Sequence, residues 1–248
     1  VSILGPPDRS GVVPRVAAAR NVESAEMTAR FVWDYRRTMF DLLRENYFEH
    51  FRAFCGRYGL KLYVEHYGGP FDWHSCGETG CDVPMGEFWL DRTTEGAGGG
   101  GGGLKIAASA GHVMGRDLIA AEAFTDKSVD LHLSPFFYKA LADSALCEGI
   151  NQLYFHTFPH QPWPGSDMQP GAMFATYASA FNRNNTWWNP GAAFFQYLAR
   201  CQYMLRQGRF VADLCYYAGE KNDRGKYRRP KRPVGYEFDH ISRETLLH

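Results

Sequence analysis

Four side chains sit where otherwise apolar runs give out, and their types suit acid–base chemistry on a polar substrate. LIAAEAFT (Leu118 to Thr125) is apolar or small except near its end, where Glu122 interrupts it. A buried carboxylate without a partner costs on the order of several kcal/mol or takes up a proton. VEHYGGPFD places Glu65, CDVPMGEFWL places Glu87 and GINQLYFHTF places His156 in comparable positions. Glycoside hydrolysis calls for this kind of set. One carboxylic acid protonates the departing oxygen, and a second carboxylate activates water or attacks the anomeric carbon. Apolar surroundings help a carboxylic acid keep its proton, which makes Glu122 the candidate donor. A structural ion pair between Glu122 and a buried Arg or Lys fits the same pattern. Glu87 reads as a second catalytic carboxylate, as a ligand to a hard cation such as calcium, or as a turn carboxylate. Glu65 would contact substrate or satisfy loop amides.

His156 and His160 have HxxxH spacing, but they fall at a strand end and in a proline loop rather than on one helix. Hydrogen bonding to a sugar or a carboxylate suits them better than zinc. Trp163, Trp187 and Trp188 offer flat apolar platforms for a sugar's C–H face, and the Trp pair in NNTWWNPG equally suits a core.

The elements that would carry these residues alternate. Glu23 to about Tyr58 has helical spacing, closed by Gly56 and Gly59. Four β-rich runs then reach Glu65, Glu87, Glu122 and His156. Helices are expected over Lys105–Gly115 and over SPFFYKALADSALCEG, the latter ended by Gly149. Alternating strands and helices predict a parallel α/β sheet, whose ligands meet the carboxyl ends of the strands. Four such strands fall short of the eight of a closed barrel. The expectation is therefore the C-terminal half of a (β/α)8 TIM-type barrel over residues 1–208, with a linker and the start of another, β-containing domain over 209–248. GAGGGGGG (Gly96 to Gly103) lacks the residues of a phosphate loop and is expected to be a mobile surface loop. GAAFFQYLARCQYMLRQG predicts a helix stopped by Gly208, and RFVADLCYYAG a fresh strand.

At 248 residues, 45% hydrophobic and 15% aromatic, the chain can bury a large core, and general disorder is excluded. The balance of 27 basic and 27 acidic residues disfavours sequence-independent nucleic-acid binding. The basic run KYRRPKRP (Lys226 to Pro233) reads as a solvated linker. No apolar run approaches the roughly 20 residues of a membrane span. The opening VSILGPPDRSGVVPR looks like the middle of something longer. Six cysteines without a CxxC pair argue against a zinc ribbon and for free thiols, although Cys76 and Cys81 flank GETG closely enough to close a small loop.

FVWDYRRTMFDLLRENYFEHF, VEHYGGPFD, DVPMGEFW, AASAGHVMGRDLIAAEAFT, INQLYFHTFPHQPW and FNRNNTWWNPGAAFFQYLARCQYMLRQGRFVADLCYYAGE occur in this order. Together they resemble glycoside hydrolase family 106, the α-L-rhamnosidases, over about residues 30–220. The resemblance implies a (β/α)8 catalytic domain within a larger multidomain enzyme. Such an enzyme removes terminal α-L-rhamnosyl residues from pectic or other rhamnosides by inversion, with calcium helping to hold the sugar. It implies Glu122 as general acid, Glu87 as a calcium ligand, and His156 and Trp163 in the loop that shapes the sugar pocket. An extracytoplasmic location is suggested by the resemblance alone. The family's general-base glutamate belongs to an earlier segment that nothing before Phe31 matches. These 248 residues alone are therefore expected to turn over slowly, with Glu65 the first candidate should they prove active. The remaining readings are a non-catalytic sugar-binding remnant and another barrel glycosidase, such as a β-galactosidase-like enzyme.

Overall fold

The computed structural model describes residues 4–7, 14–16, 23–66, 73–90, 103–126, 131, 133–162, 180–218 and 233–247. A short antiparallel pair, β1 (Leu4–Pro7) and β2 (Pro14–Val16), opens the chain. The expected helical stretch follows as α1 (Ala25–Leu43), which runs through a π-helical segment, Arg44–Glu49, into α2 (His50–Gly56). Ser24 starts α1 by accepting the backbone N–H of Met27 on its hydroxyl at 3.1 Å.

The centre is a four-stranded, wholly parallel sheet in sequential order: β3 (Tyr63–Glu65), β4 (Val83–Trp89), β5 (Ala120–Thr125) and β6 (Gln152–Phe155). All four predicted strands are present, and each crossover carries a helix: α3 (Trp73–Thr79), α4 (Leu104–Val113) and α5 (Pro135–Cys147). The sequence pattern did not anticipate α3, because WHSCGET is short, polar and interrupted by glycine. The expected loop over the glycine run needs amending at its last residue. Gly103 is the N-cap of α4, with φ +78. A Cβ there would meet the His66 carbonyl oxygen at 2.4 Å, and one on Gly86 would meet the Leu104 nitrogen at 2.8 Å. Two bare α-carbons thus let the start of α4 press onto the end of β3 and the middle of β4. Gly96 to Gly102 lie outside the described residues.

One face of the sheet is covered by helices. Ala107 and Ala108 of α4, and Tyr138, Ala142 and Ala145 of α5, pack with Ala121, Ala123, Phe124 and Leu153 of the strands. Helix α6 (Ala192–Leu205) adds Phe194 and Leu198 to the same core. The other face curls inward. The rings of Tyr63 on β3 and Tyr154 on β6 meet edge to face at 5.7 Å, although two strands separate them. Three strand spacings across a flat sheet would span roughly 14 Å. The sheet is therefore strongly curved, with its concave face away from the helices.

Two final strands, β7 (Leu214–Tyr217) and β8 (Phe238–Ile241), pair in parallel ahead of a short helix, α7 (Arg243–Leu247). Polar bonds join this segment to the crossover helices. Asp239 accepts from Ser109 at 3.0 Å and lies 3.0 Å from His112 Nδ1. Glu78 on α3 accepts the Ser242 N–H at 2.9 Å and the hydroxyls of Ser242 and Thr245. Cys76 and Cys81 are buried as separate thiols, and the Cys81 sulfur accepts from Arg116 Nη1 at 3.3 Å. Among the described residues no helix is long and apolar enough to cross a membrane.

His66, which follows β3, is fully buried and takes the Met85 N–H on Nδ1 at 3.3 Å. Burial pushes its pKa down to about 3, outweighing the nearby Met85 carbonyl, so the folded protein holds it neutral. Unfolded, it would take up a proton near pH 6.5, so acidification favours the unfolded chain between pH 6.5 and about 3. Lowering pH from 7 to 5 is expected to cost about 2 kcal/mol of stability from this group alone. Chemical denaturation at the two pH values should show that loss, and His66→Gln should reduce it.

Candidate active site

The register of the parallel strands places the candidate carboxylates on one face. Glu87 pairs with Glu122, Glu122 with Tyr154, and Glu65 with Met85, two residues before Glu87 on β4. Side chains in register on parallel strands point to the same side, so Tyr63, Glu65, Met85, Glu87, Glu122 and Tyr154 share the concave face. The carboxylates of Glu65, at the end of β3, of Glu87, two residues before the end of β4, and of Glu122, three before the end of β5, converge on this face, each offering an oxygen within 4.8 Å of the others. Glu87 is buried, while Glu65 and Glu122 are partly open. Two oxygens each about 2.4 Å from one calcium can be no more than about 4.8 Å apart, and carboxylate oxygens are the donors that ion prefers. The trio therefore fits a hard cation.

Glu122 is fixed by two further groups. The Thr125 hydroxyl donates to its Oε1 at 2.6 Å. His156 Nδ1 lies 3.2 Å from the same oxygen and 3.1 Å from Thr125 Oγ1. The hydroxyl has one proton and gives it to Glu122, so His156 completes the triangle by donating from Nδ1. His156 enters this triangle as the first residue after β6, where its own N–H donates to the Ala123 carbonyl at 3.0 Å.

Thr125 reaches Glu122 only because β5 is irregular. In an even strand residues 122 and 125 would face opposite sides. The pairing of β4 with β5 slips by one residue, from Phe88↔Ala123 to Trp89↔Thr125, which leaves Phe124 as the extra residue of a bulge. Phe124 has φ +67, a conformation that costs a non-glycine residue about 1–3 kcal/mol. Core packing holds it there: its ring is fully buried and meets Phe88 at 5.0 Å, Tyr138 at 5.3 Å, Phe155 at 5.4 Å and Phe181 at 5.5 Å. With Ala123 and Phe124 both turned toward the helices, Thr125 returns to the concave face.

The structure thus brings together Glu65, Glu87, Glu122 and His156. His160 is exposed in the loop that follows β6. Trp163 lies outside the described residues. Trp187 packs with Tyr138 and Phe181 on the helix-covered side, and its indole N–H donates to the Leu133 carbonyl at 2.7 Å. Thr125 is the site residue that sequence reasoning passed over. The bulge that turns it has no glycine to announce it, and the residue reads as the last position of an apolar strand.

Known proteins share much of this sequence and fold. The family profile described as alpha-L-rhamnosidase, glycoside hydrolase family 106, matches residues 12–248. A protein of Formosa agariphila named "Putative beta-glucuronidase" is 42% identical over 227 residues, which cover 91% of this chain and 19% of that protein. The solved structure of a rhamnosidase from Novosphingobium sp. PP1Y superposes with a TM-score of 0.77 at 29% identity, over 89% of this chain and 22% of that one. The chain thus spans about a fifth of the length of either relative. The profile covers nearly every residue, the fold is that of a rhamnosidase segment, and the chain belongs to glycoside hydrolase family 106.

Proposed function

We propose that this chain supplies the proton-donating side of a glycoside hydrolase site for terminal α-L-rhamnosides, with Glu122 as general acid. The convergence of Glu122 with Glu65 and Glu87 at the strand ends of a curved parallel sheet carries this reading. A curved parallel sheet covered outside by helices, with polar residues on its concave face, suits the C-terminal half of a (β/α)8 barrel. Such a barrel keeps its chemistry at the strand ends where the trio sits.

In this reading Glu87 and Glu65 hold calcium, which would supply a fixed positive charge for sugar hydroxyls. Glu122 donates a proton to the departing glycosidic oxygen, and His156 keeps Glu122 in place. Loop residues His160 and Trp163 are assigned to the walls of the sugar site, whereas Trp187 belongs to the core on the helix-covered side. Inversion needs its two carboxyl groups roughly 6.5–9.5 Å apart, so that a water fits between sugar and base. Glu65 and Glu87 lie nearer to Glu122 than that. The short spacing favours the cation-holding role for both and a general base other than these two carboxylates. Pectic or other rhamnosides are the substrates that the family resemblance implies.

A second reading comes from the relative's name: hydrolysis of β-glucuronides. A uronate would bring a further carboxylate to a face that already gathers three, and the strand positions around the trio supply Tyr63, Met85, Tyr154 and His156 rather than Arg or Lys, which would leave calcium as its cationic partner there. A neutral deoxy sugar suits this face better.

In the full-length protein, aryl α-L-rhamnoside should be hydrolysed at least tenfold faster than aryl β-glucuronide, and NMR should detect the inverted sugar anomer first. Faster glucuronide turnover would overturn the substrate, and a retained anomer would overturn the mechanism. Glu122→Gln should lower kcat on phenyl α-L-rhamnoside by about 100-fold or more. Calcium removal by a chelator should weaken rhamnose binding in the parent protein, and calcium should no longer strengthen it in Glu87→Gln. Unchanged rhamnose affinity after calcium removal would dismiss the cation role.

A further inference from the structure

We infer that Thr125 is a positioning residue for proton delivery, held on the reacting face by the Phe124 bulge. The inference rests on Glu122 being the general acid, and it names what sets that acid's orientation.

Both contacts recorded for the Glu122 carboxyl among the described residues fall on one oxygen. Thr125 Oγ1 donates to Oε1 at 2.6 Å, and His156 Nδ1 lies 3.2 Å from that same atom. In a protonated carboxyl group the oxygen that accepts hydrogen bonds is the carbonyl one, so the proton resides on the other. Thr125 and His156 thereby assign Oε1 as the acceptor and Oε2 as the oxygen that carries the proton to be transferred. When that proton moves to the glycosidic oxygen, the O–H bond at Oε2 breaks and its electron pair remains on the carboxylate. The bond between the anomeric carbon and the leaving oxygen breaks at the same time, water bonds to that carbon from the opposite face as it gives a proton to the general base, and the alcohol departs neutral. The charge left on the carboxylate spreads to Oε1, where the Thr125 bond strengthens as charge develops. Such a bond lowers the barrier to proton transfer more than it affects sugar binding.

A structural role alone does not explain the arrangement. Thr125 is 1% exposed and lies one residue past the bulge that turned it inward. Its backbone already serves the sheet, since its carbonyl accepts from Leu90 N–H at 2.8 Å. An even strand would keep that ladder without placing a φ of +67 on a phenylalanine. The bulge's distinct product is a hydroxyl within bonding distance of Glu122, on the side His156 approaches from β6.

The test compares leaving groups in the full-length protein. The phenolate of phenyl α-L-rhamnoside is a poor leaving group and needs the acid, while the dinitrophenolate of 2,4-dinitrophenyl α-L-rhamnoside departs readily without it. Thr125→Val, close in shape but without the donor, is expected to lower kcat on the phenyl substrate about 10- to 100-fold with KM changed less than threefold. Turnover of the dinitrophenyl substrate should stay within about threefold of the parent, which also shows that the variant folds. Thr125→Ser, which restores the hydroxyl, should recover most of the phenyl activity. Equal losses on both substrates, or no recovery with serine, would overturn the positioning role. Glu122→Gln is measured alongside. If it shows the leaving-group dependence and Thr125→Val does not, only the Thr125 inference fails. If Glu122→Gln shows none, or the parent turns over neither rhamnoside, the acid assignment fails and takes the inference with it.

Discussion

Parallel pairing in a single register governs this structure. Because Glu87 lies opposite Glu122, and Glu122 opposite Tyr154, three neighbouring strands deliver functional groups to one face at one height. A slip of one residue in either pairing would send Glu122 into the apolar layer beneath α5. That layer gives the register its strength, since Ala121, Ala123 and Leu153 are buried there and none could be exchanged for a carboxylate without a large penalty. Hydrophobic burial on the convex side thus sets the polar geometry on the concave side.

Against that regular ladder the bulge at Phe124 is the one local departure within the central sheet. Its ring is surrounded by aromatics from β4, β6, α5 and the loop before α6, and this packing offsets the strained backbone. A carboxylate on an even strand would have had neighbours only from the strands beside it. The departure gives Glu122 a partner from its own strand and leaves room for His156 from the next. The site is consequently tied to the aromatic core, although none of those rings faces the carboxylates.

Much of this could be read from the amino-acid order. Apolar runs bounded by glycine showed the four strands, and the polar residues that interrupt or follow them gave Glu65, Glu87, Glu122 and His156. The long aromatic helix near the start and the helices over Leu104–Val113 and Pro135–Cys147 were legible from spacing and glycine stops. The helix of WHSCGET was not, since its existence depends on burying Cys76 and Glu78 against distant segments rather than on its own propensity. The role of Gly103 was hidden by its neighbours, because a run of identical glycines does not say which one must hold a left-handed backbone. Trp187 was legible only as an aromatic. Whether an indole serves core or ligand depends on where its N–H finds an acceptor, and here that acceptor is the Leu133 carbonyl. Thr125 escaped because alternation assigns it to the wrong side.

Glu78 gives the last dozen residues a different standing from that of a tail. Its carboxylate is 1% exposed, and its recorded donors, the Ser242 N–H and the hydroxyls of Ser242 and Thr245, come from about 165 positions later in the chain. Trimming the protein ahead of Ser242 would leave the buried Glu78 carboxyl group without these donors in a dry interior, at a cost far above that of losing a few surface contacts. Anyone shortening this polypeptide for expression would do better to keep Ser242 and Thr245, however distant they look in the linear order.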